Sequence, residues 1–200
     1  GDSNTWGYNP ENKGRFPFEV RWTGILQNLL GNEYRIVEEG LVGRTTVFED
    51  ALRYGRNASA VLPVVLESST PDTIVLMLGT NDCKAIYKTN AQIIGKGILI
   101  LLEQIKKYAP NSRVLLLSPI HLGERVFEEG FDPEFSRDSV EVSKNLKKVY
   151  CNIAKAHNID FLAASDYAVP DDADFEHMNA SGHKSLAQAV FNEIKGKKST

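Results

Sequence analysis

Apolar residues recur at helical intervals over residues 20–30, where Val20, Trp22, Leu26, Leu29 and Leu30 fall on one side and Gly31-Asn32 supplies a stop. The period then changes. Residues 34–37 form a short β-prone run, and Gly40 and Gly43 mark a turn or loop after it. Residues 57–66 predict a short helix interrupted by Pro63. Residues 73–78 are almost uninterruptedly apolar, as a strand buried on both faces requires. Helical spacing returns over 89–108 and stops before Pro110, and 113–117 reads as a second buried strand. A long loop, 119–137, carries Phe127, Phe131 and Phe135; a helix over 140–157, a short strand over 160–163 and a helix over 180–194 follow. Lys195, Lys197 and Lys198 read as a solvated, frayed end.

Strands alternating with helices of this length imply a parallel sheet covered on both faces, and such sheets bind ligands beyond the carboxyl ends of their strands. With 200 residues, 42% of them apolar, the chain suits one domain spanning 1–200. Its net charge of −3, from 23 basic and 26 acidic residues mixed along the sequence, argues against a nucleic-acid partner. The two cysteines, Cys83 and Cys151, belong to no CxxC pair and to no cluster with histidine, so neither a disulfide framework nor a metal site is expected. The longest apolar stretch, residues 97–102, falls far short of the roughly 20 residues that cross a bilayer, so no membrane span is expected. The chain opens on Gly1-Asp2-Ser3 without methionine, so a signal peptide is neither implied nor excluded.

Candidate chemistry gathers in four places. Ser3 sits in Gly1-Asp2-Ser3-Asn4-Thr5-Trp6-Gly7, whose small and turn-forming residues let a hydroxyl project from a strand end or a helix N-terminus; a turn or helix cap is the plainer reading of that motif alone. Asp174 lies three residues before His177, a spacing that lets the carboxylate fix one imidazole tautomer while the other nitrogen faces a nucleophile. Asp171 and Asp172 have no histidine at that offset and read as surface loop charges. Asn81, just after the strand over 73–78, can offer an amide donor to a developing oxyanion, the alternative being a helix cap. Gly43 can present a bare backbone N–H to the same oxygen, whereas Gly40 reads as a turn glycine. Cys83 reads as a small core residue, His121 as a residue at the mouth of the site, and His157 and His183 as helix-surface or capping residues.

Taken in order, Gly1-Asp2-Ser3, Gly43, Asn81 and Asp174-x-x-His177 resemble the conserved blocks of the SGNH (GDSL-like) hydrolase family, over nearly the whole chain. Thr5-Trp6-Gly7, Arg21-Trp22-Thr23-Gly24 and Thr80-Asn81-Asp82 with Lys84 resemble its arylesterase and acyltransferase branch. The resemblance implies a three-layer α/β/α flavodoxin-like sandwich with a parallel sheet of about five strands, the first lying upstream of the sequence given. It implies a Ser3, His177 and Asp174 triad, an oxyanion hole of Ser3, Gly43 and Asn81, and no cofactor. Asn4 stands where the family's name motif has leucine.

The implied function is a serine esterase for small aryl or short-acyl esters, working through an acyl-enzyme that water or an alcohol resolves. A carbohydrate acetyl esterase, thioesterase or lysophospholipase would use the same triad, and a non-catalytic sugar- or lipid-binding module is the reading from another class. Loops 8–18, 84–90 and 119–137, with Tyr8, Phe16, Phe18, Tyr87, Phe127 and Phe131, are expected to set acyl specificity. Self-association as a homo-oligomer suits that branch, with Trp22 or the loop phenylalanines as candidate contacts.

Overall fold

The computed structural model describes residues 1–196. Three strands, β1 (Thr73–Met77), β2 (Arg113–Ser118) and β3 (Asp160–Ala163), pair in parallel in that order, with Val75 opposite Leu115 and Leu117 opposite Leu162. Alternate side chains leave opposite faces of such a sheet. Leu76, Leu78 and Leu116 enter one core with α3 (Ala58–Ser69), α4 (Ala91–Tyr108) and α5 (Arg137–His157). Met77, Leu115, Leu117 and Leu162 enter the other with α2 (Trp22–Leu30) and α6 (Ala180–Gly196). Two helical layers thus sandwich one sheet. A remaining short helix, α1 (Ser3–Trp6), begins at the serine singled out above.

Local signals explain most boundaries. Asn90 caps α4 by accepting from the Ile93 N–H, and Ser136 and Ser139 cap α5 reciprocally, each side chain accepting from the other's backbone N–H. Asn158 ends α5 in the left-handed conformation. Pro63 does not interrupt α3. The Ser59 carbonyl, which a residue with an N–H at position 63 would have bonded, accepts instead from the Gln104 side chain at 2.8 Å, so the helix runs through to Ser69.

Residues 34–37 form no strand. Two of their backbone groups are taken by Gln27, which donates to the Tyr34 carbonyl at 2.9 Å and accepts from the Ile36 N–H at 2.8 Å. Glu38, paired with Arg15, Arg21 and Thr23, pins the end of the segment. A groove of about 690 Å³ separates the segment from the free edge of β1, with Ile36, Val37, Leu62, Leu66, Val75 and Leu76 in its walls. Trp22 is buried in the core shared with α6. Lys195 is not frayed: it sits in the last turn of α6 with its ammonium over the Tyr34 ring, whereas Lys197 and Lys198 lie outside the described residues.

Candidate active site

The serine is placed by a helix of a single turn. Asp2 caps it, accepting from the Asn4 N–H at 3.0 Å, and Gly7 closes it at φ 88°, a conformation that costs glycine little. Ser3 therefore stands at a helix N-terminus, one of the two placements its sequence allowed. Its backbone N–H donates to no protein acceptor among the described residues, and neither does that of buried Gly43.

The closing loop carries the histidine. Asp174 Oδ1 accepts from the backbone N–H groups of Glu176 and His177, both at 2.9 Å, which fixes the turn. Its Oδ2 accepts from His177 Nδ1 at 2.7 Å, so the proton resides on Nδ1 and leaves Nε2 free to accept from the Ser3 hydroxyl at 2.8 Å. Tyr8 lies against the imidazole with ring centroids 4.2 Å apart. Ser3, His177 and Asp174 thus form one continuous hydrogen-bonded chain across 174 residues of sequence.

Charge around this chain favours the imidazolium. Burial alone would depress the His177 pKa, but Glu176, the Asp174 hydrogen bond and the charges of Asp174 and Asp2 hold it above its ordinary value. Burial would likewise raise Asp174, yet the bonds and charge from His177 keep it below the usual carboxylate range. Glu176 is pushed up to about 7, chiefly by burial. Asp2, fully buried, is also raised by desolvation.

Asn81 and the Gly43 loop are tied together: Asn81 Nδ2 donates to the Arg44 carbonyl at 3.1 Å, which leaves its second proton unspent, and the buried Asp82 carboxylate accepts from the Thr46 N–H at 3.0 Å. The same loop is tied to the serine segment, because Arg44 Nη1 and the Leu41 N–H each donate to the Gly1 carbonyl at 3.2 Å. Gly40 is not a turn glycine. A Cβ there would lie 2.2 Å from the Trp6 nitrogen, so its absence lets this loop pack directly on α1.

Other expectations are met in part and redirected in part. Cys83 is a buried core residue whose thiol donates to the Gly79 carbonyl at 3.3 Å, and burial pushes its pKa well up. His183 is fully buried and accepts from the Trp22 N–H at 3.2 Å, capping the start of α2, whose own N-cap residue offers no side-chain bond. Asp171 is structural rather than a surface charge: it accepts from the Ala173 N–H and the Asn179 side chain, and its own N–H donates to the His177 carbonyl at 2.8 Å. Of the loop aromatics, Tyr8 touches His177; Phe131 meets Phe175, Tyr87 stacks on Phe48, Phe16 meets His183, and Phe127 packs on the core.

The sequence reading passed over two residues. Asn4 donates to the Glu176 carbonyl and accepts from the Met178 N–H at 2.9 Å, so the residue beside the serine braces the loop that carries the histidine. Nothing in the sequence marks Glu176, because its burial depends on the turn around it.

The family model described as GDSL-like lipase/acylhydrolase matches residues 1–185. No curated protein matches. Among solved structures, a carbohydrate acetylesterase from Sinorhizobium meliloti is 32% identical with a TM-score of 0.90, the match covering 98% of this chain and 95% of that one. The M. smegmatis aryl esterase is 29% identical with a TM-score of 0.87, over 98% and 95% of the two chains. A lipolytic G-D-S-L protein from Veillonella parvula, 16% identical with a TM-score of 0.71 over 98% and 96%, shares the fold. With a serine and a histidine joined at 2.8 Å on that fold, the chain belongs to the GDSL-like lipase/acylhydrolase family and is a serine esterase, a carboxylic ester hydrolase.

Proposed function

We propose that Ser3 is the nucleophile, His177 the general base and Asp174 the residue that orients it, in hydrolysis of small carboxylic esters. The observation that carries this reading is the bonded series from Ser3 Oγ through His177 to Asp174, at 2.8 and 2.7 Å. Ser3 Oγ attacks the ester carbonyl carbon as its proton passes to Nε2, giving a tetrahedral oxyanion. The unspent N–H groups of Ser3 and Gly43 and the second Asn81 amide proton are the donors assigned to that oxygen. Collapse expels the alcohol, which takes the proton from Nε2 and leaves an acyl-serine. Water then attacks with His177 again as base, releasing the acid and returning the proton to Ser3.

Short acyl groups are favoured, since the Tyr8 ring lies against the imidazole, with centroids 4.2 Å apart, and takes up room beside the reacting nitrogen. Both named esterase relatives, one acting on carbohydrate acetates and one on aryl esters, are compatible with such a site. The test is turnover of p-nitrophenyl acetate by the protein and by Ser3→Ala. Turnover lost in the variant supports the reading; turnover surviving the substitution overturns it.

A further inference from the structure

The hydrolytic cycle leaves Glu176 without a task, although its carboxyl approaches the nitrogen that takes the Ser3 proton. Its side chain is only 9% exposed, and its Oε1 lies 3.7 Å from His177 Nε2, the nitrogen that faces Ser3 rather than the one that faces Asp174. Among the described residues that side chain makes no hydrogen bond; the approach to Nε2 is its one polar contact. Neither of its oxygens is sealed from solvent, so the carboxyl is open to a ligand, and one placed beside a reacting atom is a candidate ligand contact.

Its placement is enforced. Phe175 holds φ 59°, a left-handed conformation that a bulky residue seldom adopts. The surroundings hold it there: its carbonyl accepts from the Gly123 N–H at 2.7 Å, and its ring is met by Phe131 and by Arg125. Asn4 engages the Glu176 carbonyl from the other side. The outcome is a turn in which both Glu176 and His177 are buried. The charged groups facing the carboxyl come from separate elements: His177 and Asp174 from its own loop, Asp132 from the 119–137 loop, and Lys84 from the loop after β1. Lys84 is tied to Glu134 at 2.6 Å, so its ammonium is already engaged.

The position of Nε2 fixes what this carboxyl can reach. To take the proton, the departing alcohol oxygen must come within about 3 Å of Nε2, so it lies at most about 7 Å from Glu176 Oε1 and can lie much closer. A hydroxyl on the adjacent carbon, about 3 Å from the ester oxygen, reaches the carboxyl with one hydrogen bond of ordinary length wherever the separation of that ester oxygen from Oε1 is about 6 Å or less. Resting on the esterase reading above, we propose that Glu176 is a specificity-determining residue that hydrogen-bonds a hydroxyl next to the ester oxygen, selecting partly acylated polyols such as sugar acetates over esters of plain alcohols. Near neutral pH the carboxyl, pushed up to about 7, is present both protonated and ionised, so it can donate to or accept from such a hydroxyl. A site built to bond a substrate hydroxyl discriminates strongly against the analogue that lacks it, because the buried group is then left unpaired.

The experiment compares kcat/KM for 2-hydroxyethyl acetate and n-propyl acetate, which exchange a hydroxyl for a methyl group at the same place, each divided by its uncatalysed hydrolysis rate. The protein is expected to favour the hydroxyl ester about 10-fold or more, Glu176→Val to bring the ratio within about 2-fold of unity, and Glu176→Gln, which can still bond, to lie between them. If Glu176→Val does not fold, Glu176→Ala, whose side chain likewise cannot bond the hydroxyl, supplies the same contrast. A ratio near unity in the unmodified protein, or one unchanged in the variants, overturns the proposal. Turnover of p-nitrophenyl acetate that Ser3→Ala abolishes, alongside such a ratio, shows that the esterase reading stands and the Glu176 assignment alone has failed. Absence of turnover with every ester overturns both.

Discussion

Asp174 performs two jobs with two oxygens, and substitution can separate them. In Asp174→Asn the amide oxygen keeps the place of Oδ1, where it accepts from the Glu176 and His177 N–H groups, and the amide nitrogen takes the place of Oδ2. That nitrogen is a donor, so His177 Nδ1 must become the acceptor and the ring proton moves to Nε2, where it blocks transfer from Ser3. The imidazolium also loses its counter-charge. Such a change lowers kcat by about 10⁴-fold, or about 5 kcal/mol of transition-state stabilisation. The turn keeps its bonds, so urea unfolding should shift by no more than about 1 kcal/mol. Asp174→Ala removes the bonds to both backbone N–H groups as well. At about 1–3 kcal/mol for each group left unsatisfied, moderated by the 21% exposure of the Asp174 side chain, it should lose roughly 2–4 kcal/mol of stability along with its activity. Esterase assays and urea midpoints on the two variants read these effects separately. An Asn variant within about 10-fold of the parent in kcat, or as unstable as the Ala variant, refutes the tautomer argument.

Activity should rise with pH through a pKa above the ordinary histidine value of 6.5, because the base must be neutral and its surroundings favour the cation. Glu176→Gln removes the largest favourable charge and should move the acid limb of kcat/KM to lower pH; an unmoved limb contradicts the assignment of that charge. Asn81→Ala should reduce kcat by about 10²- to 10³-fold with little change in KM, and a KM effect alone would count against an oxyanion role. Gly40→Ala should lower the Tm measurably, since its Cβ would meet the backbone of α1 at 2.2 Å; an unchanged melting curve would contradict that packing. A thiol reagent should label partly exposed Cys151 but leave buried Cys83 unmodified in the native protein, and fast labelling of Cys83 would refute its core placement.

The sheet and its covering helices were legible because burial on both faces writes itself as apolar runs, as at residues 73–78, and because caps such as Asn90 stand beside the helices they start. The segment 34–37 misled because β-propensity describes a residue's fit to a sheet and not the presence of a partner; here Gln27 takes the hydrogen bonds that a neighbouring strand would have taken. Pro63 misled for the complementary reason, a distant side chain replacing the bond it removes. At the site, the spacing singled out Asp174 and His177, whereas Ser3 was picked out through the family resemblance. The brace from Asn4, the packing of Gly40 on α1 and the inward turn of Glu176 could not be picked out, since each depends on contacts between segments far apart in the chain.

The central claim is that Ser3 carries the acyl group between two half-reactions. Its most direct test is the intact mass of the protein after brief mixing with p-nitrophenyl acetate and an acid quench, followed by peptide mapping. The account predicts one acetyl group per chain on the peptide containing Ser3, appearing with a burst of nitrophenol and absent from Ser3→Ala. An acetyl group on any other residue, or steady turnover with no adduct at Ser3 and undiminished in Ser3→Ala, would contradict it.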